Sequence, residues 1–328
     1  MSHYITIPTN ENGIIFDGDM NGVIAEAIAV DPFGFDDVYI YSHGWSTDAY
    51  RALDEYNRFS VDLAKQLLLL ADQTPPIFAK PPQASLGIGI HWPSEITEDP
   101  NSDLNALQVF TFYTMEHRAN AVGSNAVYSI LRSLLSARAG TNSPLRIFLL
   151  GHSFGCKVVC AALQDMQIDI ANKTIGVADG TTFRVVLLEP ATDNDNLEPG
   201  DIYGAVGQIG GLRMLITKSS LDKALNTWFP LASKAANIFK APKQALGAAG
   251  PTQNTIAYFG GADQIPIATG FKPDGTSVLK KKLIVADLSP VHQDRIAAGI
   301  AATDKLSGSH SDINFTEVYS MISGFLFA

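Results

Sequence analysis

Residues 145–160 read Leu-Arg-Ile-Phe-Leu-Leu-Gly-His-Ser-Phe-Gly-Cys-Lys-Val-Val-Cys, and the rest of the chain is organised around them. Leu145 to Leu150 is a nearly unbroken apolar run with no turn residue, the pattern of a strand buried on both faces. It breaks at Gly151-His152-Ser153-Phe154-Gly155. Cys156, Val159, Cys160 and Leu163 then recur at spacings that predict a helix lying against the sheet. Strand, Gly-x-Ser-x-Gly turn and helix form the context in which this motif carries chemistry. The serine is forced onto a sharp corner with its hydroxyl above the sheet, and the flanking glycines let neighbouring backbone pass close by.

The flanking chain repeats the theme. Asp37 to Ser42 reads as a strand running into His43-Gly44-Trp45, and residues 48–71 carry apolar positions at helical spacing. Leu86 to Trp92 predicts a strand ending at Pro93, and residues 103–138 a long helical stretch. Phe183 to Leu188, Leu212 to Thr217 and Lys281 to Asp287 are further buried-type strands, and residues 315–326 a closing amphipathic helix. Strands alternating with helices predict an α/β fold with a mostly parallel, doubly wound sheet covered on both faces. The turns within residues 4–30 predict short strands forming an antiparallel edge.

Residues 228–256 depart from this rhythm, mixing Trp228, Phe229, Leu231, Ile238 and Phe239 with Lys234, Lys240 and Lys243. The expectation is a single domain over residues 1–328 with a cap or insertion at 228–280. That segment reads either as an ordinary amphipathic surface element or as a lid laid over a pocket or against lipid.

With 328 residues, 46% of them apolar and 17% charged, the chain can bury a large core. A net charge of −10 argues against nucleic acid as a partner. The amino terminus lacks the charged and apolar regions of a signal peptide. No apolar run approaches the about 18 residues of a bilayer span. Cys156 and Cys160 read as small buried residues rather than a disulfide or metal pair. A reducing, cytoplasmic setting is the expectation, with signal-independent export as the alternative.

A serine nucleophile needs a base in reach, an acid to orient that base, and donors for the oxyanion. The donors predicted are the backbone N–H groups of Phe154, which opens the helix after the serine, and Trp45, which follows the Gly44 turn. The competing reading of that turn is a helix entry with Ser46 or Thr47 as its N-cap. Asp222, soon after the 212–217 strand, is the leading acid, ahead of Asp193 and Asp195; Asp263 and Asp287 are weaker. Asp222 also suits a helix N-terminus without any catalysis. Of the two histidines downstream, His310 sits in a Ser-Gly-Ser-His-Ser-Asp loop that can swing back to the serine, and His292 is its rival. His152 reads as packed beneath the turn. Ser220-Leu-Asp-Lys223 matches Ser-x-x-Lys without its companion motifs. No phosphate loop, dinucleotide fingerprint or His-Glu-x-x-His is present, so neither cofactor nor metal is expected.

In this order of turn, elbow, acid and histidine, the chain resembles the α/β-hydrolase superfamily. More narrowly, it is similar to serine hydrolases sharing the landmarks seen here as Tyr-Ser-His-Gly-Trp (41–45), His-Trp-Pro-Ser (91–94), Gly-His-Ser-Phe-Gly (151–155), Ser-Ser-Leu-Asp-Lys-Ala-Leu (219–225) and His310-Ser311. The resemblance implies Ser153 as nucleophile, Asp222 as acid, His310 as base, and Trp45 and Phe154 as the oxyanion hole. It implies cleavage of carboxylic esters, lipid esters among them. Two alternatives stand beside it: a non-catalytic fold that binds a ligand or partner, and a membrane-acting lipase or phospholipase with 228–256 as its interfacial lid.

Overall fold

A computed structural model describes residues 3–16, 37–45, 47–71, 85–95, 104–140, 143–231, 243–273, 281–301 and 308–327. Eight strands form one sheet: β1 (His3–Pro8), β2 (Asp37–Ser42), β3 (Ser85–His91), β4 (Arg146–His152), β5 (Thr182–Leu188), β6 (Leu212–Lys218), β7 (Ala262–Pro266) and β8 (Leu283–Asp287). Their order is β1-β3-β2-β4-β5-β6-β8-β7, and every pairing is parallel. Parallel strands need covered crossovers, which explains their nearly continuous apolar runs.

The helices are α1 (Ala49–Ala71), α2 (Leu104–Val122), α3 (Tyr128–Ala139), α4 (Gly155–Ala171), α5 (Leu246–Ala249), α6 (Gln253–Tyr258), α7 (Ser289–Ala297) and α8 (Thr316–Phe327). A π-helical turn, Gly123–Val127, joins α2 to α3, so the long helical stretch is continuous with one inserted turn. Two apolar layers sandwich the sheet. One holds Met115, Val127, Leu134, Val159 and Leu163 from α2 to α4. The other holds Tyr56, Phe59 and Leu63 of α1 with Val318, Tyr319 and Ile322 of α8. Phe59 and Tyr319 meet across α1 and α8 with ring centres 6.0 Å apart.

Two expectations change. The strand in residues 4–30 is not an antiparallel edge, because β1 lies parallel to β3 from His3↔Leu86 to Pro8↔His91. The turn signals instead form a fold-back after it: Asn10 accepts bonds from the Asn12 and Ile14 backbones, and Thr9 bridges Ile15 antiparallel. Residues 17–30 of that expectation lie outside the described residues. The N-cap of α1 is Asp48, whose carboxylate accepts from the Arg51 N–H at 2.8 Å. Thr47 is occupied with Ser94, and Ser46 lies outside the described residues.

Of the 228–280 segment, residues 262–266 form β7 in the main sheet. Phe229 is buried with its ring 5.2 Å from that of Phe112, and Leu246 is buried in the same layer. Lys234, Ile238, Phe239 and Lys240 lie outside the described residues. At the amino end of the central strands, Arg146 forks onto the buried Asp37 carboxylate at 2.6 and 2.8 Å, pinning β2 to β4.

Candidate active site

Registers place the ends of the central strands side by side. Ser42 pairs with Gly151, and His152 pairs with Leu188, so the turns after β2, β4 and β5 meet above the sheet. Ser153 adopts φ 54°, a left-handed conformation that an L-residue holds only under constraint. The constraint is visible: the Ser153 N–H donates to the Leu188 carbonyl at 3.0 Å, and its own carbonyl accepts from Ala191 at 3.2 Å. Gly155 is needed where α4 passes the end of β2, since a Cβ there would strike the Ser42 and His43 carbonyl oxygens.

Ser153 Oγ lies 2.8 Å from His310 Nε2, and His310 Nδ1 lies 2.6 Å from Asp222 Oδ2. A carboxylate oxygen only accepts, so the proton sits on Nδ1 and Nε2 is left to accept from the serine. Asp222 is fully buried, and its other oxygen accepts from the Leu225 N–H at 2.9 Å. It therefore serves both as a helix-entry cap and as the partner of the imidazole. The His310 loop is tied down by the Asp222↔Gly308 bridge.

The remaining candidates from the sequence are placed elsewhere or in supporting positions. His292 is buried in α7 between Ser219 Oγ at 2.9 Å and the Asp312 carbonyl at 2.9 Å, behind Asp222 rather than at the serine. Asp193 and Asp195 meet Lys243 at 3.5 and 2.8 Å. Asp263 pairs with Lys281 at 3.8 Å and Asp287 with Lys218 at 3.2 Å. His152 is buried, and its Nε2–H donates to the His310 carbonyl at 3.0 Å, so it holds the loop that carries the base. Burial lowers its pKa to about 3. Cys156 and Cys160 are free, buried thiols; burial pushes Cys160 up to about 12.

The landmarks at 41–45 and 91–94 prove to be one structure. His43 Nδ1–H donates to the Gly44 carbonyl at 2.8 Å, and its Nε2 accepts from the Trp92 N–H at 3.3 Å. The Trp92 indole in turn donates to the His43 carbonyl at 3.2 Å and stacks on the imidazole. Ser94 Oγ bonds both the N–H and the carbonyl of Thr47 at 3.1 Å. Burial keeps His43 neutral, with its pKa lowered to about 3. This lattice fixes the Gly44 turn directly against the serine, where a Cβ on Gly44 would lie 3.0 Å from Ser153 Cβ. The Trp45 and Phe154 rings meet edge to face at 6.0 Å. Trp45 follows the Gly44 turn and Phe154 is the N-cap of α4, positions from which backbone N–H groups can serve an oxyanion site.

Sequence reading passes over Glu189. It follows β5, has φ 43° and is fully buried, with Oε2 3.7 Å from His310 Nδ1 and Oε1 3.8 Å from His292 Nδ1. Its position, a carboxylate at the carboxyl end of the strand beside the elbow, is the signal that could have found it. Donor atoms of His152, Glu189 and His310 lie within 4.8 Å of one another. Both ring nitrogens of His310 are nevertheless engaged by Ser153 and Asp222, which leaves that trio without a free imidazole ligand from His310.

A parallel sheet with a serine on the strand-to-helix corner, and acid and histidine on later loops, defines an α/β-hydrolase architecture. Residues 35–237 match the family described as alpha/beta hydrolase of unknown function (DUF900), and the chain belongs to that family. No curated protein matches the chain. Among the described residues, no helix is long and apolar enough to cross a membrane.

Proposed function

We propose that this protein is a serine hydrolase that cleaves carboxylic esters through an acyl-enzyme, with Ser153 as nucleophile, His310 as base and Asp222 as acid. The observation that carries this reading is the single imidazole lying 2.8 Å from Ser153 Oγ and 2.6 Å from Asp222 Oδ2. In the reaction, His310 Nε2 takes the hydroxyl proton as Ser153 Oγ bonds the ester carbonyl carbon. The imidazolium then returns the proton to the departing alcohol oxygen as the C–O bond breaks, leaving the acyl group on Ser153. A water repeats the sequence and releases the acid. Asp222 holds the imidazole in the required tautomer and balances its transient charge.

The Phe154 and Trp45 N–H groups would receive the oxyanion. Such groups act strongly because they are fixed before the charge develops, and here the His43–Trp92 lattice and the start of α4 supply the fixation. Lipid esters fit the same chemistry. A ligand-binding protein without catalysis would not need an imidazole at the serine, so the geometry favours catalysis over that alternative.

The test is labelling with a fluorophosphonate probe, comparing the unsubstituted protein with Ser153→Ala and His310→Ala, beside hydrolysis of p-nitrophenyl esters of graded chain length. Label and turnover in the unsubstituted protein alone support the reading. A folded protein that takes no label and hydrolyses no ester in the series removes it.

A further inference from the structure

Among the described residues, Glu189 is the one acidic side chain beside His310 to which the mechanism above gives no work. Its carboxyl is fully buried, and neither oxygen has a hydrogen-bond partner. An unpaired buried carboxyl is costly, and such a group in a native fold calls for a reason. The backbone around it is strained as well. Glu189 sits at positive φ just before Pro190, where a residue is ordinarily extended. Its N–H is held by Thr217 Oγ1 at 2.8 Å, and Gly247 packs so closely on its carbonyl carbon that a Cβ would collide there. The fold thus aims this acid at the two histidines from a corner matching that of Ser153 on the adjacent strand.

The groups facing Glu189 are His310 and Asp312 from the loop before α8, Asp222 from the loop after β6, His292 from α7, Cys156 from α4 and His152 from β4. Burial first, then repulsion from Asp222 and Asp312, holds the Glu189 carboxyl well above the ordinary carboxylate range.

Resting on the Ser153–His310–Asp222 reading above, we infer that Glu189, buried without a hydrogen-bond partner 3.7 Å from His310 Nδ1, is a positioning residue for His310, a reserve acid that accepts the Nδ1–H when Asp222 cannot. In a protein lacking the Asp222 carboxylate, Glu189 in its ionised form accepts the hydrogen bond from His310 Nδ1–H. Nε2 then takes the Ser153 proton as before and returns it to the leaving alcohol. The 3.7 Å separation asks for a shift of under about 1 Å to reach hydrogen-bond length.

The experiment is a double-mutant cycle of Asp222→Ser and Glu189→Gln, read as kcat against pH. The hydroxyl introduced by Asp222→Ser can still cap the Leu225 N–H, and Gln matches the shape of a neutral Glu. The expected result is residual turnover in Asp222→Ser that climbs with pH as Glu189 ionises. Adding Glu189→Gln should cut that residual at least about 10-fold and flatten the climb, against a loss of only about threefold from Glu189→Gln alone. Equal residual rates with the same pH profile in Asp222→Ser and the double variant would overturn the inference. If Asp222→Ser does not fold, infrared spectroscopy of the unsubstituted protein decides: a protonated-carboxyl band at neutral pH must vanish in Glu189→Gln, and its absence overturns the inference. A protein that takes no fluorophosphonate and hydrolyses no ester removes the hydrolase reading itself. A labelled protein with an indifferent cycle removes only the role of Glu189.

Discussion

The ends of β5 and β6 each deliver a buried acid toward His310, and the chain treats the two in opposite ways. Beyond the end of β6, Asp222 is fully satisfied: one oxygen takes the Leu225 N–H at 2.9 Å and the other takes His310 Nδ1–H at 2.6 Å. At the end of β5, Glu189 is as deeply buried but its carboxyl has no hydrogen-bond partner, on strained backbone. Hydrogen bonds to the charged form favour an ionised carboxyl, and desolvation without them favours a neutral one. Burial alone therefore does not single out Asp222 as the proposed acid; the hydrogen bonds it accepts do.

The largest effect expected is at the serine. Ser153→Ala should lower kcat by about 10⁴-fold or more while the melting temperature holds or rises, since the strained corner loses only a hydroxyl. Turnover retained in that variant would move the nucleophile elsewhere and leave the two-acid comparison without an object. Next comes the proposed acid. Asp222→Asn keeps the shape and the Leu225 cap but presents an N–H to His310, favouring the wrong tautomer. A fall in kcat of about 10³- to 10⁴-fold is expected. A loss under about tenfold would transfer the working role to Glu189.

Much of this is legible in the residues. Apolar runs without turn residues announce a parallel sheet, because strands buried on both faces leave little room for polar alternation. The order of elbow, acid and histidine picks out the three side chains that the structure brings into contact. What stays hidden depends on partners distant in sequence. β1 reads like an edge hairpin until β3 is seen beside it, and β7 is a weakly apolar segment that only its register with β8 identifies. Glu189 reads as a strand end before a proline; its meaning comes from His292 and His310, more than 100 residues downstream. The 41–45 and 91–94 landmarks look like separate weak signals and are joined by hydrogen bonds that span 47 and 49 positions.

The Gly44 turn, proposed to supply an oxyanion donor, should be sensitive to one methyl group. Gly44→Ala places a Cβ 3.0 Å from Ser153 Cβ and 3.2 Å from His152 Nδ1, so turn and serine must move apart by a few tenths of an ångström. A loss of about 10²-fold in kcat with KM nearly unchanged is expected, because fixed donors lose alignment with the oxyanion rather than with the substrate. A KM effect alone would show that Gly44 shapes binding.

Acid should loosen the lattice that holds this turn. His43 and His152 have folded-state pKa values of about 3, against an ordinary 6.5, because burial excludes the cation. The unfolded chain therefore takes up protons that the folded chain refuses. Stability is present in full above about pH 6.5 and drains away as pH falls toward 3, by up to about 2 kcal/mol per histidine at pH 5. Melting temperatures at about pH 7.5 and 5 measure this, and His43→Gln should narrow the gap between them. An unchanged gap would mean that His43 is protonated without penalty in the fold.

The smallest effect is expected at the third acidic position near these strand ends, where the sequence offers its alternative acids. Asp195 meets Lys243 at 2.8 Å with side chains 27% and 38% exposed, a setting in which solvent screens most of the attraction. Asp195→Asn retains an oxygen for the lysine and should cost no more than about 1 kcal/mol of stability. Turnover should stay within about twofold, because the carboxylate serves a lysine and not an imidazole. A kcat loss comparable to that of Asp222→Asn would mean that charge at the end of β5 acts on His310 through more than Glu189. The contrast between a bonded and an unbonded acid would then be too simple.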